Sequence, residues 1–115
     1  MEPNYYVDTM VVQNADADFR SLLKPSALLR YVEQVSAVHA RLFGMDDQFF
    51  VDHGVAFLVG KQALRFTRTP LRGEKITLCS RSEMIRRGSI KRLTTITDEA
   101  GQERAMVDSR WIVAS

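Results

Sequence analysis

The sequence is poor in several features that would assign it to a broad class of protein. Its 115 residues include a single cysteine, Cys79, which excludes an intrachain disulfide and a zinc site built from several cysteines. No apolar run approaches the roughly 20 residues that span a bilayer, and the N-terminus lacks a basic segment followed by an apolar one. We therefore expect a soluble protein without a targeting signal, and the single cysteine fits a reducing cytoplasm.

The sequence also lacks a large excess of charge of either sign. Sixteen basic residues are interspersed with 14 acidic ones, which gives a net charge of +2. Neither nucleic acid nor a membrane surface is therefore an expected partner. With 45% hydrophobic residues, the length predicts one domain with one core over residues 1–115.

The first half of the chain predicts one strand and one long helix. Residues 5–12 are rich in aromatic and β-branched side chains, as is typical of a strand. Pro25 stands where a helix can begin, because a proline has no N–H to leave unpaired in the first turn, and Gly44 stands where one can end. The helix between them should have about 18 residues.

One face of this helix is apolar. At about 100° per residue, that face carries Leu28, Val32, Val35, His39 and Leu42, flanked by Tyr31, Ser36 and Phe43. His39 lies at the centre of the face, so the pattern predicts a helix packed against a sheet, with a histidine at the contact.

Four further strands are predicted after Gly44. The first, residues 55–66, changes its apolar parity at Gly60, which indicates a β-bulge. The next three cover residues 76–84, 90–97 and 105–113, with turns between them.

A single long helix followed by antiparallel strands must be buried against the sheet, because neither can hide its apolar face alone. The predicted fold class is therefore α+β, with one long central helix wrapped by a five-stranded antiparallel sheet. The hot-dog fold is the commonest version of this arrangement.

Several short segments resemble a known family. NADAD at residues 14–18 and LLRYVEQVSAVH at residues 28–39 resemble the start of acyl-ACP thioesterases and of 4-hydroxybenzoyl-CoA thioesterases. RFTRTPLRGE at residues 65–74, DEAG at residues 98–101 and SRWIV at residues 109–113 also resemble the N-terminal half of acyl-ACP thioesterases.

The resemblance implies hydrolysis of an acyl-ACP or acyl-CoA thioester, with the acyl chain between helix and sheet and the active site at a dimer interface. In the hydroxybenzoyl-CoA type, an aspartate in the loop before the helix attacks or activates water, and N–H groups at the helix N-terminus hold the oxyanion. Alignment with that pattern places Asp18 on the aspartate.

Two departures weaken the match to this pattern, and Pro25, with the absence of an Asp-x-Asn-x-His constellation, favours an alternative, a noncatalytic hot-dog module for acyl-thioester binding or dimerisation. The family's glycines after the aspartate are replaced by residues 19–21, and Pro25 falls where an oxyanion N–H is required. Two-domain acyl-ACP thioesterases also keep their catalytic Asn and His in the C-terminal hot-dog. A hydratase or dehydratase is a third hypothesis, although no histidine precedes the helix to move a proton.

Three further residues are candidates for catalysis. Glu33 could act as a general base, or could be a solvated carboxylate. His39 could act chemically, or could be a hydrogen-bonded core histidine. His53 is a reserve candidate at the start of the long apolar strand. The histidines are too far apart in sequence to indicate a metal site, and no cofactor is expected.

Basic residues concentrate around one predicted hairpin. We expect this group to be exposed, either simply as a soluble edge that discourages sheet-to-sheet aggregation or as a binding site for the phosphates of coenzyme A or for an acidic acyl carrier protein. An oligomer, most simply a homodimer, would hide the sheet edges. The residues are Arg81, Arg86, Arg87, Lys91 and Arg92.

Overall fold

The computed structural model describes residues 5–42, 52, 54, 56–86 and 89–114. One strand, one long helix and four strands follow in the predicted order. Within the described residues, no helix combines the length and apolar character that a membrane span requires. The elements are β1 (Tyr5–Val11), α1 (Pro25–Leu42), β2 (Ala56–Phe66), β3 (Lys75–Arg86), β4 (Ser89–Thr97) and β5 (Glu103–Ala114), with a short 3-10 helix at Asn14–Asp16.

The five strands form one antiparallel sheet in the order β1-β3-β4-β5-β2. β1 precedes the helix in sequence and β2 follows it, yet the two lie at opposite edges of the sheet. The chain therefore crosses from one edge to the other by way of the helix. The predicted α+β class, one helix on a five-stranded antiparallel sheet, is confirmed.

The helix begins at Pro25, as predicted, and buries the face that its periodicity indicated. The last member of the predicted face differs: Leu42 is 66% exposed. The buried face ends one turn earlier, and the expected helix end at Gly44 lies outside the described residues. The buried helical residues are Ala27, Leu28, Val32, Val35, Ser36 and His39.

The core lies between this helical face and the inner face of the sheet. Strand alternation places every second residue inward, and Cys79 lies on the outer face, between the buried Leu78 and Ser80. The fully apolar part of the core lies under the N-terminal half of the helix. Its strand residues are Ile76, Leu78, Ile96, Ala105 and Val107.

The bulge predicted at Gly60 is confirmed. The register between β2 and β5 shifts between Val59 and Lys61, so one residue is inserted into the edge strand. A Cβ at Gly60 would lie 2.8 Å from Cδ1 of Ile112, which is closer than real Cβ contacts allow. A side chain at this position would therefore require the exposed side chain of Ile112 to shift.

A buried arginine at one end of the sheet joins two loops to β5. The guanidinium of Arg104 is almost fully buried and pairs with the carboxylates of Glu74 and Asp98. It also donates to the carbonyls of Arg68, at 2.8 Å, and Thr69, at 3.0 Å. These bonds fix the loop before β3 and the hairpin after β4.

Candidate active site between the helix and the sheet

Asp18 lies in the loop that leads into the helix. Its Oδ1 accepts the backbone N–H of Arg20 at 2.7 Å and that of Leu22 at 3.1 Å, and its Oδ2 accepts the Arg20 guanidinium at 3.2 Å. Burial raises the pKa of Asp18, but these hydrogen bonds outweigh it and hold the pKa below its ordinary value. The carboxylate is therefore ionised at neutral pH.

At one of the three positions where the resembled family has glycine and this sequence does not, the backbone still adopts a conformation that glycine favours. Ser21 has a φ of 68°, in the left-handed region that glycine favours. Its carbonyl accepts the N–H of Arg72 at 2.8 Å, which fixes the loop against the segment before β3. Phe19, another substituted position, is 93% exposed.

Asp16 fixes this loop to the helix, a role that the sequence did not reveal. Its carboxylate accepts the Tyr31 hydroxyl at 2.5 Å and the Arg30 guanidinium at 2.7 Å. The hydrogen bond from Tyr31, followed by that from Arg30, holds the pKa of Asp16 below its ordinary value. The partners lie 14 and 15 residues away, a spacing that no local pattern marks.

The N-terminus of the helix has few donors left for an oxyanion. The N–H groups of Ala27 and Leu28 both donate to the Lys24 carbonyl at 3.0 Å. Pro25 has no N–H, as the sequence indicated. Of the N–H groups in the first turn, that of Ser26 takes part in none of these bonds.

His39 is buried, as its place on the helix predicts. Its Nδ1 lies 3.2 Å from Ser80 Oγ and 2.5 Å from Arg92 Nη1. A guanidinium only donates hydrogen bonds, so Nδ1 must accept and the imidazole must be neutral. Burial, and then the charge of Arg92, lowers the pKa of His39 to about 4.

Of the two remaining catalytic candidates, the structure describes one. Glu33 is exposed on the helix surface, and His53 lies outside the described residues. Among the described residues, no group of three or more His, Cys, Asp or Glu side chains is placed to hold a metal ion. The structure therefore brings together His39, Ser80 and Arg92, and keeps Asp18 in the loop at the opposite end of the helix.

The expectation of one exposed basic group is wrong for Arg92, which is only 8% exposed. Neighbouring residues of a strand point to opposite faces, so Lys91 faces outward, 4.0 Å from Asp108, while Arg92 faces the helix. Arg81 is exposed, Arg86 is the last residue of β3, and Arg87 lies outside the described residues.

This arrangement of helix and sheet defines a hot-dog domain. A model of the acyl-ACP thioesterase N-terminal domain matches residues 3–114, and the chain belongs to that family. A search of curated proteins found no match.

Solved structures share the fold at low sequence identity. A protein described as an oleoyl thioesterase, from Lactobacillus plantarum, superposes with a TM-score of 0.91 at 22% identity, over 96% of this chain and 43% of its own. An acyl-ACP thioesterase from Bacteroides thetaiotaomicron gives 0.90 at 17%, over 96% and 45%. A 1,4-dihydroxy-2-naphthoyl-CoA thioesterase from Synechocystis gives 0.85 at 13%, over 95% and 81%. The chain thus spans less than half the length of the first two.

Proposed function

We propose that this chain hydrolyses an acyl thioester, releasing a free acid and a thiol, with the acyl group held between α1 and the inner face of the sheet. The observation that carries the proposal is the family match over residues 3–114, on a fold in which one helix lies across one sheet. An acyl-ACP is the proposed substrate because the family is that of acyl-ACP thioesterases. Acyl-CoA is the alternative thioester.

Asp18 is the proposed working carboxylate. It precedes the helix, it is ionised at neutral pH, and its loop is fixed by Ser21 on one side and Asp16 on the other. An ionised carboxylate in this position can activate water or attack the thioester carbonyl. Glu33, His39 and His53 stay candidates for proton transfer.

The second candidate function is acyl-thioester binding without catalysis in this half. The helix N-terminus favours it, because Pro25 has no N–H and the N–H groups of Ala27 and Leu28 already bond the Lys24 carbonyl, which leaves that of Ser26 as the unused first-turn donor. In this case a second hot-dog domain would supply the reacting groups. For either function we propose pairing with another hot-dog, as in a homodimer, since β1 and β2 are edge strands.

The test is thiol release from acyl-ACP and acyl-CoA thioesters of different chain length, for the wild type and for Asp18→Asn. The matched control is Asp98→Asn. Like Asp18, Asp98 accepts the backbone N–H groups of the residues two and four positions later in the chain, in this case at 3.0 Å each. Unlike Asp18, it lies in a hairpin at the end of the sheet.

We expect Asp18→Asn to lower turnover about 100-fold or more, and Asp98→Asn to leave turnover unchanged. Undiminished turnover in Asp18→Asn would remove Asp18 from the mechanism. Binding of acyl thioesters without thiol release from any of them would support the second function.

A further inference from the structure

The inner face of the sheet changes from apolar to polar along its strands. Strand register places Ser82, Arg92, Ser109 and Gln62 side by side across β3, β4, β5 and β2. We call these four residues the polar row. Gln62 Nε2 donates to Ser109 Oγ at 3.2 Å, so two members are already connected.

Arg92 gives this row a buried charge. It forms no ion pair with the carboxylates of the described residues, and its neighbour His39 is neutral. Burial lowers the pKa of Arg92 to about 10, so the guanidinium still carries its charge at neutral pH. Among the residues that the structure describes, no carboxylate supplies the compensation that a buried cation ordinarily has.

On the facing surfaces of the helix and β4, several buried hydrogen-bonding atoms also have no partner in the described part of the chain. Arg92 Nη1 donates to Ser80 Oγ at 2.9 Å, but Arg92 Nε, Thr94 Oγ1 and Ser36 Oγ are buried without a hydrogen-bond partner among the described residues. Thr94 is two residues beyond Arg92 on the same face of β4, and Ser36 is on the helical face above the sheet. Buried polar atoms are usually hydrogen bonded, so a group of three without partners is unusual.

The buried guanidinium and the unpaired hydroxyl groups near it need a ligand oxygen that can accept hydrogen bonds. Hydrocarbon placed on Arg92 would keep its charge desolvated and its donors unused, whereas a hydroxyl, keto or carboxylate oxygen would satisfy them. We propose that the polar row, with Thr94, binds an oxygen substituent of the acyl group, and that the substrates are oxygenated acyl thioesters. This inference rests on the proposed placement of the acyl group between helix and sheet.

Equilibrium binding tests the inference independently of hydrolysis. The probes are non-hydrolysable analogues of dodecanoyl-pantetheine, with a methylene inserted between the sulfur and the carbonyl carbon. One analogue is unsubstituted, and the others carry a 3-hydroxyl, a 3-oxo or a terminal carboxylate group. We expect at least one oxygenated analogue to bind about tenfold more tightly than the unsubstituted one, and the three substituents identify which oxygen is preferred.

Substitutions test whether the polar row causes the preference for oxygenated analogues. Arg92→Met keeps most of the side-chain length without the charge and should abolish the preference. Arg110→Met, which removes an exposed guanidinium from the outer face of β5, should retain it. Thr94→Val removes a hydroxyl without changing shape, so it should reduce the preference while the melting temperature stays the same or rises.

Each other outcome counts against the proposal in a defined way. Equal binding of all the analogues, or a preference that persists in Arg92→Met and Thr94→Val, overturns the polar row as an oxygen site and leaves the proposed hydrolysis intact. Absence of binding by every analogue overturns the oxygen site, and thiol release decides separately whether the proposed hydrolysis stands. Loss of thiol release with an intact binding preference overturns hydrolysis alone.

Discussion

At the level of single residues, His39 and Arg92 contribute to the response of the folded protein to acid. The imidazole accepts a hydrogen bond from a cation in a buried site, so its protonation would remove that bond and place two positive charges together. The unfolded chain has no such restriction. Stability is therefore coupled to proton uptake by this one histidine.

We expect stability to fall between pH 6.5 and about 4, the range between the ordinary and the lowered pKa of His39. In this range the unfolded chain binds a proton that the folded chain does not, and each pKa unit corresponds to about 1.4 kcal/mol. Urea unfolding over that range measures the loss, and His39→Gln should flatten it. An NMR titration in which the His39 ring protonates near pH 6.5 in the folded protein would contradict this prediction.

Arg104 shows the stabilising use of a buried charge. Hydrogen bonds from Arg104 hold the pKa of Glu74 below its ordinary value, and a backbone bond from Gln102, with Arg104, does so for Asp98. Both carboxylates stabilise the fold above their ordinary pKa values and lose that contribution as pH falls through the lowered ones.

Arg104→Met should lower the free energy of unfolding by about 3 kcal/mol, since it leaves two carboxylates and two carbonyls without their donor. Chemical denaturation at pH 7 measures the change. The control is Arg65→Met, which breaks a surface pair of 3.7 Å with Glu103 and should cost less than about 1 kcal/mol. Equal effects of the two substitutions would show that the Arg104 network is not stabilising.

At the level of elements, helix and strands followed from local periodicity. Pro25 marked the helix start, alternation marked the strands, and a change of parity at Gly60 marked the bulge. The site was less predictable because its contacts are long-range. Arg92 was grouped with Lys91 by sequence proximity, although strand alternation separates them, and the bond from Arg30 to Asp16 depends on how the loop folds back.

The β2 bulge makes a prediction about coupling between two strands. Gly60→Ala should cost little stability, because the atom its Cβ would meet, Cδ1 of Ile112, is the end of a side chain that is 47% exposed and can turn away. A double-mutant cycle with Ile112→Ala should therefore give a coupling energy below about 0.5 kcal/mol. A coupling energy of about 1 kcal/mol or more would show that the Ile112 side chain cannot move aside.

At the level of the whole molecule, the small net charge makes the local placement of charge important. The hairpin between β3 and β4 carries the remaining basic residues, since Arg92 faces the helix. We propose this hairpin as the contact for an anionic acyl carrier protein. Attraction between such surfaces is screened by salt.

Affinity for acyl-ACP should therefore fall as ionic strength rises. The double substitution Arg86→Gln and Arg87→Gln should weaken binding and reduce its salt dependence. Lys75→Gln, at the opposite end of β3, should do neither. Titration of the carrier protein at several salt concentrations provides the measurement, and a salt-independent affinity would exclude the hairpin as the contact.

The strand order also has a consequence for how the sheet assembles. β3, β4 and β5 are neighbours both in sequence and in space, whereas β1 and β2 reach the two edges from earlier in the chain. Contacts between nearby segments form with less loss of chain entropy. The three-stranded centre should therefore form first during refolding, and pulse-labelled hydrogen exchange should protect the amides shared by β4 and β5 before those that β1 shares with β3.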